Sequence, residues 1–301
     1  METFTLVPRG PFSLAASIAF LEGFPPAAYS GPAGQALELA FGVEGSWRTA
    51  GLRVRQDDYG TVTAEIVSPA EPDAGLVAEI RPQLERILSL DVDGSGFPAV
   101  GERDPVVGEV QRKFPGLRPV GFWSPYEAAA WTIIVRRIRI TQGAVIKTRM
   151  SERLGEPVSF GDRVVPAFPS PQRLASLDTF PGLAHPKPEW LRSVARAALD
   201  GQLDAARLRA MPPEEALADL KKLPGIGDFS AGLILLRGAG FPDAVPSGEP
   251  RLARAVELAY ELPGPATHEQ ILAISENWRP YRTWVTLLLR TLLGFGTTQR
   301  G

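Results

Sequence analysis

Cysteine is absent from the 301 residues. That excludes disulfides, zinc–thiolate sites, iron–sulfur clusters and a thiol nucleophile. Histidine is scarce: His185 and His268 are the only two and stand far apart, so neither a histidine-based metal centre nor a Ser-His-Asp triad is expected. No apolar run approaches the roughly 18 residues of a membrane span. The N-terminal METFTLVPRGPF lacks a basic region followed by an apolar stretch, so no secretory signal is read. Strong basic character is missing too. The net charge is −2 and the pI is about 5.9, unlike many nucleic-acid binders. What remains is a cytoplasmic enzyme or binding protein that works with carboxylates and backbone dipoles.

Charge is unevenly spread. VRRIRITQGAVIKTR carries Arg136, Arg137, Arg139, Lys147 and Arg149 with no acid. Arg279, Arg282, Arg290 and Arg300 follow with no acid after Glu276. Contact with a few phosphates needs only such local basic surface, and solvated helix faces would look the same.

Hydrophobic residues make up 44%, enough for a core, and at roughly 100–200 residues per domain the length suggests two domains. ALELAFGV (36–43), WRTAGLRVRQ (47–56) and TVTAEIV (61–67) read as strands between Gly- and Asp-rich turns. PFSLAASIAFLEGF and AGLVAEIRPQLERILSL (74–90) read as helices. DVDGSGFPAVGERDP (91–105) reads as a linker. Beyond it only helices are expected. Ser124-Pro125-Tyr126-Glu127 and Thr267-His268-Glu269-Gln270 have the form of capping boxes. The expected fold class is α+β: an N-terminal sheet domain over 1–90, then a helical domain over 91–301. A cleft is expected between roughly 120–235 on one side and 91–119 plus 236–301 on the other.

The most specific motif is LPGIG within KKLPGIGDFSAGLILLRGAGF (221–241). A turn with two glycines followed by an apolar, small-residue helix reads as a helix-hairpin-helix clamp. Gly225 and Gly227 let the backbone turn tightly and approach a surface closely. Free amides at the start of the helix near Phe229 make an anion site that suits a DNA phosphate. Just beyond, GEPRLARA places Glu249 before a proline and three residues before Leu252.

From about 104 to 294 the chain resembles the helix-hairpin-helix base-excision DNA glycosylases, most closely the bacterial 3-methyladenine DNA glycosylase II (AlkA-like) group. The likeness is carried by FPGLRPVGFWSPYEAAAWTII, by PEWLRSVARAALDGQLDAARLRAMPPEEALADLKKLPGIG, by LLRGAGFPDAVP and by ENWRPYRTW, in that order. The resemblance implies a monofunctional glycosylase that flips a damaged, alkylated base out of double-stranded DNA and hydrolyses its N-glycosidic bond. A non-catalytic relative that kept only the clamp is the alternative. It further implies a monomer, cytoplasmic and nucleoid-associated, with no organic cofactor.

Residue by residue, the resemblance puts Glu249 in the slot of the family's catalytic aspartate. The extra methylene moves the carboxylate by about 1.5 Å, and a misplacement of about 1 Å can cost on the order of a hundredfold in rate. Gly225, Ile226, Gly227, Phe229 and Ser230 fall on the DNA clamp. Arg136 and Arg137 occupy the slot of the wedge that fills the gap left by the flipped base. Phe229, Leu233 and Arg290 fall on positions where the group can carry Trp, Tyr and Trp, and Trp123 is a further wall candidate, with Trp131, Trp278, Tyr281 and Trp284 behind it. Losing those aromatics argues against a strongly cationic base. Backbone carbonyls of Lys221, Leu223 and Ile226 are candidates to hold a monovalent cation (Na+ or K+). Lyase relatives carry a lysine at the Phe229 slot, and phenylalanine forms no Schiff base. Asp243 is the next carboxylate to consider should Glu249 not serve.

Overall fold

The computed structural model describes residues 2–294 apart from 28, 30–35 and 70. Arg300, one of the C-terminal basic residues, lies outside the described residues. The fold is α+β. Strands β1 (Glu2–Leu6), β2 (Leu37–Gly42), β3 (Thr49–Gln56) and β4 (Val62–Ser68) form an antiparallel sheet in the order β1-β4-β3-β2. Alternation decides its faces. Val62, Ala64 and Ile66 of β4 are buried beneath α1 (Leu14–Glu22) and α2 (Ala74–Ile87), which contribute Leu14, Ile18, Leu76, Ile80 and Leu84 to one core. Asp73 caps α2 by accepting from the Leu76 amide at 2.8 Å. That core also takes in Leu117, Val120, Trp123 and Leu287 from far along the chain.

The three expected strands form within a residue or two of their expected ends. β1 was not anticipated: it is a short edge strand whose hydrogen bonds come from β4, with Glu2 opposite Ile66. The later part of the chain is not purely helical. A hairpin of β5 (Pro157–Phe160) and β6 (Arg163–Pro166) turns at Gly161 and packs on the sheet's other face through Val158, Phe160, Ala167 and Ala40. A Cβ added at Gly51 would lie 2.3 Å from Val158, so the hairpin presses onto bare backbone there. Four-residue strands carry too little local pattern to announce themselves; packing selects them.

The expected linker 91–105 contains a helix, α3 (Pro98–Arg103), followed by α4 (Pro105–Lys113) capped by Asp104. α5 (Pro125–Val135) is buried at every position through Ile134. Only half of its expected capping box forms: Ser124 accepts from the Glu127 amide at 3.1 Å. The Glu127 carboxylate turns instead to Lys147 at 3.4 Å on α6 (Ile140–Leu154). Around α5 gather α7 (Pro171–Ala175), α8 (Lys187–Leu199), α9 (Ala205–Ala210), α10 (Pro213–Leu220) and α11 (Asp228–Leu233), forming a second core. A third core joins α3 and α4 to α12 (Pro250–Ala259), α13 (His268–Ser275) and α14 (Arg282–Leu292). Both halves of the capping box at Thr267 and Gln270 are present at α13.

Candidate active site

The hairpin joins α10 to α11. Gly225 has φ +85, a conformation that costs a residue with a Cβ, and an added Cβ would lie 2.7 Å from the Trp190 ring. Gly227 differs. Its φ of −107 and ψ of −171 are open to any residue, and no atom lies within 4 Å of its virtual Cβ. The tight turn therefore requires only Gly225, while Gly227 leaves a bare surface at the helix start. The first helical hydrogen bond runs from the Ala231 amide to the Gly227 carbonyl at 2.9 Å, so the amides of Asp228, Phe229 and Ser230 precede the ladder. Ser230 is buried, so its hydroxyl is not presented to a phosphate and any contact falls to its amide. Ile226 is buried and anchors the turn in the second core. Lys221 pairs with Asp228 at 2.9 Å and Lys222 with Asp219 at 3.1 Å.

The two arginines of the wedge slot part company. Arg136 donates to the Gly225 carbonyl at 3.1 Å and lies over the Trp190 ring at 5.4 Å. It is a brace of the hairpin rather than a free wedge. Arg137 sits at the tip of the α5–α6 turn, exposed, with φ +56. Of the candidate cation carbonyls, Leu223 already accepts from the Ile226 amide at 3.1 Å.

Past Leu233, α11 widens: the Ala239 amide bonds to the Ile234 carbonyl five residues back, at 2.8 Å. Such wide turns often fall at functional sites. Here the widening carries Leu236 and Arg237 onto a cleft of about 400 Å³, counted with its open mouth. The cleft is lined by Phe229, Leu233, Glu249 and Arg290 as well, with Thr283, Thr286 and Leu287 of α14. Four of the sequence candidates thus meet in one place. Phe229 is half exposed at the rim.

Glu249 is the N-cap of α12. It is only 8% exposed, one oxygen accepting from the Arg251 amide at 3.3 Å and the other 2.6 Å from Nε of Arg290. Arg237 lies deeper, donating to the Val120 carbonyl with its guanidinium 4.8 Å from the Phe24 ring and 5.2 Å from Phe20. Phe20 of α1 and Phe24 just after it thereby support the floor of the cleft. Burial, with Arg290 adding repulsion, pulls the Arg237 guanidinium down to about 9. Arg290 is lowered by burial as well, with Glu249 opposing.

Trp123 does not line this cleft. It faces a second cavity with Phe24, Phe122 and Glu127 and joins the sheet core. Trp131 packs in the core around α5. The Trp278 indole donates to Asp104 at 3.1 Å, and Tyr281 and Trp284 pack edge-to-face with Phe97. All are structural, because tertiary packing rather than local pattern assigns an aromatic to wall or core. Asp243 is held by Arg279 at 3.0 Å and Arg282 at 2.9 Å, so it is committed to ion pairs. The C-terminal arginines 279, 282 and 290 are therefore paired, not an open basic face. The basic surface that remains is Arg137, Arg139 and Arg149, since Lys147 is buried against Glu127. Arg237, Thr283 and Thr286 were missed; the one signal was an arginine inside the apolar run LILLRG.

No family model matches the chain. It is 28% identical over 220 residues to a DNA-3-methyladenine glycosylase of Bacillus subtilis, covering 71% of this chain and 72% of that protein. It is 28% identical over 185 residues to DNA-3-methyladenine glycosylase 2 of Escherichia coli, covering 60% of this chain and 62% of that one. The fold matches a 3-methyladenine DNA-glycosylase from Archaeoglobus fulgidus with a TM-score of 0.78 at 18% identity, over 99% of this chain and 100% of the other. With its hairpin and its cleft, the chain is similar in sequence to DNA-3-methyladenine glycosylases and shares the fold of one.

Proposed function

We propose that the chain is a DNA glycosylase that hydrolyses the N-glycosidic bond of a damaged base flipped out of double-stranded DNA. The observation that carries this reading is that one helix serves both ends of the task. α11 offers free amides at its start and lines, with Phe229 and Leu233, the cleft that holds the Glu249 carboxylate. Backbone phosphate held at the amides leaves the adjacent nucleotide beside the cleft.

The glycosidic bond breaks with its electron pair leaving on the base, and positive charge builds on the sugar. Glu249 supplies the negative charge that stabilises it, in a site screened from water where such fixed charge acts strongly. Water then adds to the sugar carbon and gives its proton to the carboxylate, which passes it on to the departed base and so regains its charge. Arg137 fills the gap in the stack. A monovalent cation held by the carbonyls of Lys221, Leu223 and Ile226 would add positive charge at the phosphate; the carbonyl chemistry suits it, since Leu223 accepts one hydrogen bond and keeps a lone pair. With phenylalanine at 229, no amine at that position forms a Schiff base, so the product is an intact strand with an abasic site. The working form is a monomer on cytoplasmic, nucleoid DNA. The relatives' names point to alkylated bases.

Glu249→Gln tests the assignment. Base release should vanish while affinity for DNA holds or rises, because a negative charge beside the backbone is gone. Glu249→Asp should retain or raise activity, being the shorter acid and the better cap. Equal rates for parent and Glu249→Gln would remove Glu249 from the chemistry.

A further inference from the structure

We propose that Arg86, on α2 and outside the cleft, is a positioning residue for base release: it holds the wide turn after α11 that brings Leu236 and Arg237 to the cleft. The inference rests on the glycosylase reading and adds to it a residue that touches neither DNA nor the reacting atoms.

The wide turn needs support from outside. Such turns are rare, and the regular helix competes with them. The carbonyls of Arg237 and Gly238 stand in its last turn, where a helix lacks donors of its own. Both residues are buried, so each carbonyl needs a partner. The Arg237 carbonyl accepts from the Phe122 amide at 2.7 Å. The Gly238 carbonyl accepts from the Arg86 guanidinium.

Arg86 is itself held on several sides. It is buried in the last turn of α2. Its fork also donates to the Trp123 carbonyl at 2.9 Å and pairs with Glu44, in the turn between β2 and β3. The other Glu44 oxygen accepts from the Ala205 amide, the first of α9, at 3.2 Å. Gln83, one turn earlier on α2, donates to the same Trp123 carbonyl at 2.9 Å and accepts from the Glu44 amide at 2.8 Å. A guanidinium directs its donors in a fixed plane, so this one residue sets the end of the wide turn against the entry to α5 and the edge of the sheet. Little slack remains. A Cβ at Gly240 would lie 3.0 Å from Cγ of Arg86, and one at Gly121 would lie 3.0 Å from the Arg237 carbonyl.

The clamp is held separately. Arg136 braces Gly225 and Ile226 sits in the second core. Asp228 and Gly238 are separated by about 15 Å of helix at roughly 1.5 Å per residue. Loss of Arg86 therefore frees the wall of the cleft and leaves the phosphate site in place.

The test uses the whole chain. Removing Arg86 alone would strand a buried carboxylate, so the main variant is Glu44→Gln/Arg86→Met. Glu44→Gln is its control, because it removes the charge pair and leaves the bond to Gly238. Single-turnover release of free base from randomly methylated duplex DNA should fall roughly ten- to a hundredfold in the double variant, at a temperature where the protein is folded. Affinity for a duplex bearing an abasic analogue should stay within about twofold of the parent. The Glu44→Gln control should release base at the parent rate although it too is less stable. Hydrogen exchange needs no activity. Amides over 234–241 should exchange at least roughly tenfold faster in the double variant, and those over 226–232 as in the parent. Arg86→Lys serves if the double variant does not fold; one ammonium cannot reach Gly238, Trp123 and Glu44 together, and the same split is expected. Equal losses of binding and release, an unchanged release rate, or exchange that rises alike in both segments or in neither overturns the inference. A parent that releases no base refutes the glycosylase reading instead, and the exchange pattern alone then decides whether Arg86 holds the wide turn.

Discussion

Alanine at Gly225 and at Gly227 should do opposite things, although the two glycines are only two residues apart. At Gly225 the backbone is left-handed, at φ +85, which costs a residue with a Cβ roughly 1–2 kcal/mol. The new methyl would also sit 2.7 and 2.8 Å from two atoms of the Trp190 ring, and overpacking of that kind costs about 1–3 kcal/mol. Together the loss is about 2–5 kcal/mol of folding stability, a large part of the roughly 5–15 kcal/mol that holds a domain folded. Trp190 also carries Arg136, so the hairpin brace loosens with it. At Gly227 the methyl meets nothing within 4 Å and the backbone is extended. Folding should change by less than about 1 kcal/mol, the difference between glycine and alanine as N-caps. DNA binding should suffer instead, since the methyl holds a phosphate off the amides of Asp228 and Phe229. A hydrogen bond to a charged group is worth about 1.5–3 kcal/mol, so affinity should fall roughly ten- to a hundredfold. Urea melts give the first quantity, and fluorescence anisotropy with a duplex bearing an abasic analogue gives the second. Parent-like affinity for Gly227→Ala would refute the clamp. Parent-like stability for Gly225→Ala would refute the strain argument.

The paired arginines of the α5–α6 turn should separate as well. Arg136→Ala removes the bond to the Gly225 carbonyl and should cost about 1 kcal/mol of stability. Arg137→Ala should leave stability intact and suppress the fluorescence rise of a 2-aminopurine beside the lesion, and an unchanged rise would return Arg137 to the solvated surface. The buried pair Glu127–Lys147 gives a pH test. Burial raises the Glu127 carboxyl despite Lys147. The folded state then keeps a proton that the unfolded chain releases above about 4.3, so this group's contribution falls as pH rises from there through the raised value. Lys147→Met should cost about 3–5 kcal/mol at neutral pH, with recovery on acidification. The double variant Glu127→Met/Lys147→Met should be as stable as the parent or more so, with a flatter pH profile in urea melts. A single variant insensitive to pH would contradict the assigned direction.

What could be read in the sequence was what local chemistry decides. LPGIG was legible because a left-handed turn leaves few choices at Gly225. The strands at 37–42, 49–56 and 62–68 were legible because alternation and turn residues agree. Illegible features depend on distant partners. β1 takes its hydrogen bonds from β4, and β5–β6 exists as a lid on Ala40 and Gly51. The C-terminal arginines looked unopposed because their acids, Asp243 and Glu249, precede them in the chain and meet them only in the fold. Arg237 was hidden because its aromatic partners, Phe20 and Phe24, belong to α1 and the stretch just after it.

Glu249 combines both kinds. Its place before Pro250 and Leu252 was legible; what fixes its carboxylate was not. An aspartate in that slot would be positioned by its own helix, as a cap. The longer side chain caps weakly here, at 3.3 Å to the Arg251 amide, and its other oxygen is drawn to 2.6 Å from Arg290. The extra methylene is thus taken up by a cation on a different helix. The geometry of the acid then depends on how α12 docks against α14, which is set by Leu252 and Val256 packing with Val285 and Leu289. Such packing is close to crystalline in density and admits few alternatives. The carboxylate's partner Arg290 is also a wall of the cleft. In this chain Glu249 and the wall of the cleft are therefore coupled through Arg290, and a change at either residue must be read at both.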